Sequence, residues 1–337
     1  MTERRSEYDV TNRVDTTDPS AVQLEVSRLF AQLYPGARCE VLPRAFADIT
    51  RLYRGEYPGY HACDTAYHNL QHTLDVALAM ARLMDGYERS ADLRAPLGPR
   101  LFAFGLICAL FHDVGYLRRL NDTRHRNGAE YTLCHVSRGG RFLEQYLTGL
   151  GMVEAAAAAV PVLHFTGYEM PVSEIQVPAP VFRAIGNMLG TADILAQMSD
   201  RCYLEKCRDR LYPEFVAGGL AHGGSGAAPA SAKFVSAEDL LRKTPQFYEV
   251  AQRRLTDLLD GAYRYARNHF RGEDPYFAEV MKNIEHAKRV AQQGDLVRML
   301  RRQPPPRFAV PGPAPMAAKP VRAAPGGGRG PLTAMAA

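Results

Sequence analysis

No two cysteines of the 337-residue chain are spaced C-x-x-C, and the six present (Cys39, Cys63, Cys108, Cys134, Cys202, Cys207) are scattered, several inside apolar stretches. That distribution argues against a zinc ribbon or a dithiol redox motif and reads as reduced, packing thiols in a cytoplasmic protein. Long apolar runs are also missing. The longest, Leu101 to Phe111, has 11 residues, well short of the roughly 20 that cross a bilayer. A many-pass membrane protein is therefore excluded, and no membrane partner is expected. The polar first 20 residues lack the apolar core of a secretory signal. Neither a convincing polar/apolar alternation nor an internal repeat is found, which argues against sheet sandwiches and solenoids. Acidic residues disappear from Arg301 onward, where six basic residues stand alone. The formal charge of +5 therefore belongs to the tail: positions 1–300 carry 35 basic and 36 acidic residues, so the fold itself is near neutral and nucleic acid is not expected as its main partner.

What is present is helical periodicity bounded by weakly structured composition. Residues 1–20, the Gly/Ala/Ser-rich stretch 217–232 and the Pro/Gly/Ala-rich basic tail 301–337 are expected to be disordered or flexible. Between them, apolar spacing predicts amphipathic helices around Leu24–Leu33, Phe46–Tyr53 and His68–Met84, the last with Asp64 and Thr65 as N-cap candidates. An almost wholly apolar helix follows at Leu101–Asp113. Further helices are expected at about 127–147, 152–163, 181–210, 237–270 and 275–292. The reading is an all-α fold in a single domain over 21–300.

Histidine and aspartate supply the chemistry. The segment Tyr67-His68-Asn69-Leu-Gln-His72-Thr-Leu-Asp75-Val76 spaces two imidazoles four residues apart, the separation that shares a helical face. Forty residues after His72, the apolar helix ends on His112-Asp113. A charge there requires a partner or a metal, unless the two residues merely cap helix ends. Together the motifs resemble the class I cyclic nucleotide phosphodiesterases of the HD-domain superfamily, over about Asp64 to Asp200.

That resemblance implies an HD-type helical bundle with a mononuclear or dinuclear metal site. His68 would be the general acid that protonates the leaving oxygen, and His72, His112 and Asp113 would be metal ligands, with Asp113 bridging to a second ion. Asp193, within Thr-Ala-Asp-Ile-Leu-Ala, is the best fit for the remaining ligand and Asp200 the second choice. His135 and His164 follow the order of second-metal ligands, the other reading being a surface histidine and a helix C-cap. Zn, Mn, Fe or Co suits the first position and Mg, Mn or Fe the second. Such ions activate water for attack on a phosphodiester and neutralise the phosphoryl oxygens. Asp75 could orient an imidazole. Arg118, Arg124 and Arg126, in a run of four arginines within nine residues, are candidate phosphate clamps, or a solvated loop paired with Asp122 and Glu130. The charged run 200–210 reads as an exposed helix face.

Two departures bear on substrate. The family continues from His-Asp into another His and Pro-Gly, where this chain has Gly115 and Tyr116. The family's purine-clamping Gln and Phe have no recognisable counterpart; Gln246-Phe247 is too weakly placed. The expected function is hydrolysis of a small-molecule phosphodiester, with a 3',5'-cyclic nucleotide as leading substrate. A di-iron HD-type oxygenase and a catalytically silent nucleotide-sensing module are the alternatives, and a homodimer is a possible assembly.

Overall fold

The computed structural model describes residues 4–90, 95–223, 232–292 and 296–306. It is predominantly helical, and extended pairing among the described residues is confined to isolated bridges such as Tyr8 with Asp15. The helices run in the order α1 (Pro19–Leu33), α2 (Val41–Arg54), α3 (Leu70–Glu88), α4 (Gly98–Phe111), α5 (His135–Gly149), α6 (Val153–Leu163) and α7 (Pro180–Met198). After these come short α8 (Tyr203–Lys206) and α9 (Tyr212–Ala217), then α10 (Ala237–Arg253), α11 (Arg264–His269), α12 (Pro275–Gln292) and α13 (Leu296–Met299).

The core forms around α3, which packs against α1, α4, α7 and α11. Every residue of α3 except Asp75 and Glu88 is buried, and so is every residue of α4 from Phe102 to Phe111. A helix surrounded in this way has no solvent face, so its polar residues need partners within the protein. Gly86 permits the tightest approach: a Cβ there would lie 1.8 Å from the Tyr265 carbonyl oxygen, so glycine lets α11 press against the α3 backbone.

Several expected elements are shorter than their apolar patterns. The helix expected over 127–147 starts only at His135, because Asn127 and Glu130 form a capping box on a separate 3₁₀ turn, Gly128–Tyr131. The helix expected over 181–210 ends at Met198, and a π turn at Cys207–Leu211 joins α8 to α9. The helix expected over 237–270 is broken by a π turn at Arg254–Leu258 and by positive φ at Asp260 and Gly261. The charged run 200–210 is not an exposed face. Glu205, Lys206 and Arg210 are buried, Lys206 pairs with Asp200 at 2.5 Å, and Glu205 accepts from the Arg302 backbone N–H at 3.1 Å.

Both expected disordered ends need correction where they are described. Residues 301–306 lie on the fold, with Arg210 donating to the Pro305 carbonyl; residues 307–337, and 224–231 of the loop 217–232, fall outside the described residues. At the N-terminus, residues 4–18 form a strap fixed by Asp9. Its carboxylate accepts from the Arg13 and Val14 backbone N–H groups, both at 2.9 Å, and from Arg82 of α3 at 2.6 Å. Arg82 also donates to the Tyr276 hydroxyl at 3.0 Å, tying strap, α3 and α12 together. Composition alone did not reveal this, because the polar groups of the strap are satisfied by a cation buried elsewhere in the chain.

Burial pushes the Asp9 carboxyl pKa up, but Arg82 and the two backbone donors outweigh it and bring it down to about 2. A depressed carboxyl stabilises the fold above its unfolded pKa of about 4, and that contribution, about 2–3 kcal/mol, is lost as pH falls towards 2. Asp9→Ala strands the buried Arg82 charge and should cost about 3–5 kcal/mol at neutral pH. It should also flatten the acid limb of stability in urea unfolding; a loss below about 1 kcal/mol would show that the strap is dispensable.

Candidate metal centre

Four elements deliver the donor groups. Asn69 caps α3, its side chain accepting from the His72 backbone N–H at 3.2 Å, and this sets His72 in the first helical turn. The caps expected at Asp64 and Thr65 serve other contacts: Asp64 pairs with Arg118, and Thr65 donates to the His68 carbonyl at 2.7 Å. His68 precedes the cap, so it does not share a helical face with His72, and the two rings lie 5.7 Å apart and nearly perpendicular. At the end of α4, His112 directs Nδ1 to the Ala109 carbonyl at 2.8 Å, which leaves Nε2 for the centre. Asp113 follows, and Asp193 projects from α7.

The donors converge. His72 Nε2 is 3.3 Å from His112 Nε2. Asp113 Oδ2 lies 3.1 Å from His112 Nε2 and 3.4 Å from His72 Nε2. Asp193 Oδ1 is 3.4 Å from His72 Nε2 and 4.0 Å from His112 Nε2, and accepts from Gln197 at 2.6 Å. A tetrahedron of metal–ligand bonds of about 2.0–2.1 Å has edges of about 3.3 Å, so most of these spacings suit one small ion. His72, His112 and Asp113 could hold a metal ion. Asp113 is consistent with the fit: it is buried, and although both imidazoles face its Oδ2, neither makes a well-formed hydrogen bond to it. A bare buried carboxylate oxygen is costly unless a cation faces it.

His135 opens α5 with Nδ1 2.8 Å from the Thr132 carbonyl and Nε2 3.8 Å from Asp113 Oδ1. Asp113 thus faces His72 and His112 with one oxygen and His135 with the other. Gly115 permits this approach, since a Cβ there would lie 1.8 Å from the His135 carbonyl oxygen. Tyr116 fills the space between His68 and His135, its ring stacked at centroid distances of 4.5 and 4.3 Å. His164 caps α6; it is buried with no partner for Nδ1, and makes no ion pair or hydrogen bond to Asp113 or His135 among the described residues. Asp200 is held by Lys206, so Asp193 is the aspartate beside His72.

The arginines are arranged differently from the clamp expectation. Arg118 is engaged by Asp64 at 2.8 Å and by the His125 carbonyl at 3.2 Å, while Arg124 and Arg126 are exposed. None of the three forms a hydrogen bond or ion pair with the His/Asp cluster among the described residues. Among the described residues Asp75 makes no hydrogen bond or ion pair to an imidazole; burial raises its pKa to about 6, with Lys206, Asp200 and Thr16 as its main neighbours. The orienting carboxylate belongs to Glu214 on α9, which the motifs did not identify. It is buried, pairs with His68 Nδ1, and accepts from the Tyr67 backbone N–H at 2.8 Å. Its separation from His68 by 146 positions left no local signal.

Burial pushes the His72 and His112 pKa values down, but Asp113 and Asp193 reverse this and raise both to about 9. In the absence of metal the carboxylates therefore favour a protonated His72/His112 pair, whose Nε2 atoms share a 3.3 Å contact, and a metal must displace that proton charge because it binds neutral imidazole. Loading at pH 7 should release protons, and apparent affinity should rise with pH. Titration calorimetry in buffers of different ionisation enthalpy measures the release; proton-neutral, pH-independent binding would contradict this arrangement. No protein-family model, curated protein or solved structure matches the chain.

Proposed function

We propose that the chain is an HD-type, metal-dependent phosphohydrolase that cleaves a phosphodiester, with a 3',5'-cyclic nucleotide as its leading substrate. The observation that carries this reading is the convergence of the buried Asp113 Oδ2 with the His72 and His112 Nε2 atoms, with His68 close by. His72, His112, Asp113 and Asp193 would hold the first divalent ion, and the second oxygen of Asp113 with His135 would serve a second, with His164 as a further donor. When bound, such ions supply an activated water and neutralise charge at phosphorus.

The remaining chemistry belongs to the chain. His68 has Nδ1 fixed by Glu214, so its Nε2 proton is available to the departing oxygen. Burial lowers the pKa of His68, but Glu214 and Asp113 outweigh burial and raise it, which favours the charged imidazole. Glu214 is thus a positioning residue that also maintains the acid form. Tyr116, stacked on His68 and itself buried, holds the ring and excludes water from one face.

His72→Ala and Asp113→Ala should lose both bound metal and hydrolysis. His68→Ala should retain metal yet lose about 10²- to 10⁴-fold in kcat. In Glu214→Gln the alkaline limb of kcat should move to lower pH, because the acid loses the carboxylate that raises its pKa. Metal analysis and pH–rate profiles on a panel of cyclic mononucleotides and bis-p-nitrophenyl phosphate provide the readout. Full turnover by His68→Ala, or full metal content in His72→Ala, would contradict the assignment.

A further inference from the structure

We infer that the cavity between the start of α7 and the π turn after α10 is a second binding site, for a small organic cation carrying ammonium or guanidinium N–H groups. It stands apart from the phosphohydrolase reading, because none of the residues lining this cavity is a donor at the metal centre.

The cavity has a volume of about 350 Å³, at the lower end of the range of about 300–1,000 Å³ that holds small molecules. Pro180, Arg183 and Asn187 line it from α7, and Thr256, Asp257 and Asp260 line it from the turn. Buried contacts fix both walls. Arg254, at the head of the π turn, donates to the Phe165 and Gly167 carbonyls at 2.7 and 2.8 Å. Leu259 packs in a buried cluster with Phe165, Val172 and Ile175, and a Cβ on Gly190 of α7 would lie 3.2 Å from the Leu259 side chain. The site is thus largely preformed.

Its chemistry selects a donor-rich cation. Asn187 is only 7% exposed, and its Oδ1 is buried with no hydrogen-bond partner among the described residues. An amide oxygen in that state costs free energy unless something outside the chain supplies the donor. A half-turn of the planar amide exchanges oxygen and nitrogen, so the acceptor can be turned to the cavity. Asp257 and Asp260 are exposed on the turn, and neither forms an ion pair among the described residues. The Thr256 hydroxyl proton is engaged by the Gln252 carbonyl at 3.1 Å or the Asp257 carboxylate at 2.8 Å, so towards a ligand it can only accept. Arg183, the cation of the α7 wall, directs its guanidinium to the Ile175 carbonyl and lies 5.5 Å from the Phe165 ring centroid. Two unpaired carboxylates, a hydroxyl oxygen and an amide oxygen therefore face a committed guanidinium. A ligand with several N–H donors and a positive charge completes that set, through charge-assisted hydrogen bonds.

The test is isothermal titration calorimetry on the full-length protein at low ionic strength, where exposed charges are least screened. The probes are 1,4-diaminobutane and methylguanidine, with 1,4-butanediol as the neutral counterpart of the diamine. Wild type should bind at least one of the two cations saturably, one per chain, and should not bind the diol. The Asp257→Asn/Asp260→Asn double variant should weaken Kd about tenfold, and Asn187→Leu by a similar factor of about ten. Glu238→Gln, which removes an exposed carboxylate from the first turn of α10, should leave Kd unchanged. Thermal unfolding checks each variant, and because the double variant alters only exposed side chains it decides the matter even if Asn187→Leu does not fold. No saturable binding of either cation by wild type, an unchanged Kd in the double variant, or an equal loss in Glu238→Gln would overturn the inference. So would binding of the diol as tight as that of the diamine, or saturable binding of calcium chloride in place of both cations.

Discussion

The arrangement depends on one electrostatic constraint: two carboxylates and two imidazoles meet where an apolar helix ends in the protein interior. Asp113 lies between His72 and His112 on one side and His135 on the other, and neither His72 nor His112 makes a well-formed hydrogen bond to its Oδ2. A low-dielectric interior penalises unpaired charge, so either the histidines keep protons or a cation takes their place. Both options hold the same four elements together. The start of α3, the end of α4, the start of α5 and the middle of α7 are therefore linked by charge as well as by packing.

The rest of the fold supports that junction. Because α3 is buried almost along its whole length, its polar residues recruit partners from distant segments: Arg82 binds Asp9 in the N-terminal strap and Tyr276 in α12, and Asp85 pairs with His269 at the end of α11 at 2.7 Å. These contacts fix the far half of the helix that carries His72. Glycine does the corresponding work near the centre, where Gly115 brings the His-Asp turn against the first residue of α5. The geometry of this candidate centre follows from close backbone approach and buried ion pairs more than from helix propensity.

The motif pairs His68/His72 and His112/Asp113 were legible because each is local, and Asp193 because a charge among apolar neighbours needs a reason. Helix existence was legible for the same cause: a 3.6-residue apolar period survives in the sequence. Helix ends were not, since the breaks at Ser199 and Arg254 come from tertiary contacts and π turns that the apolar pattern passes through. Glu214 and Tyr116 escaped because neither has a motif; only folding brings α9 to His68, or places a tyrosine between two imidazoles. Among the arginines after residue 117, Arg118 is engaged by Asp64 while Arg124 and Arg126 are exposed, an arrangement that the local charge pattern does not specify.

The most direct test of the central claim is crystallographic: the full-length protein loaded with Mn or Zn, with anomalous differences recorded at the metal edge. The account predicts a strong peak within bonding distance of His72 Nε2, His112 Nε2, Asp113 Oδ2 and Asp193 Oδ1. A loaded protein with no peak among these atoms, or with its metal bound elsewhere, would contradict it.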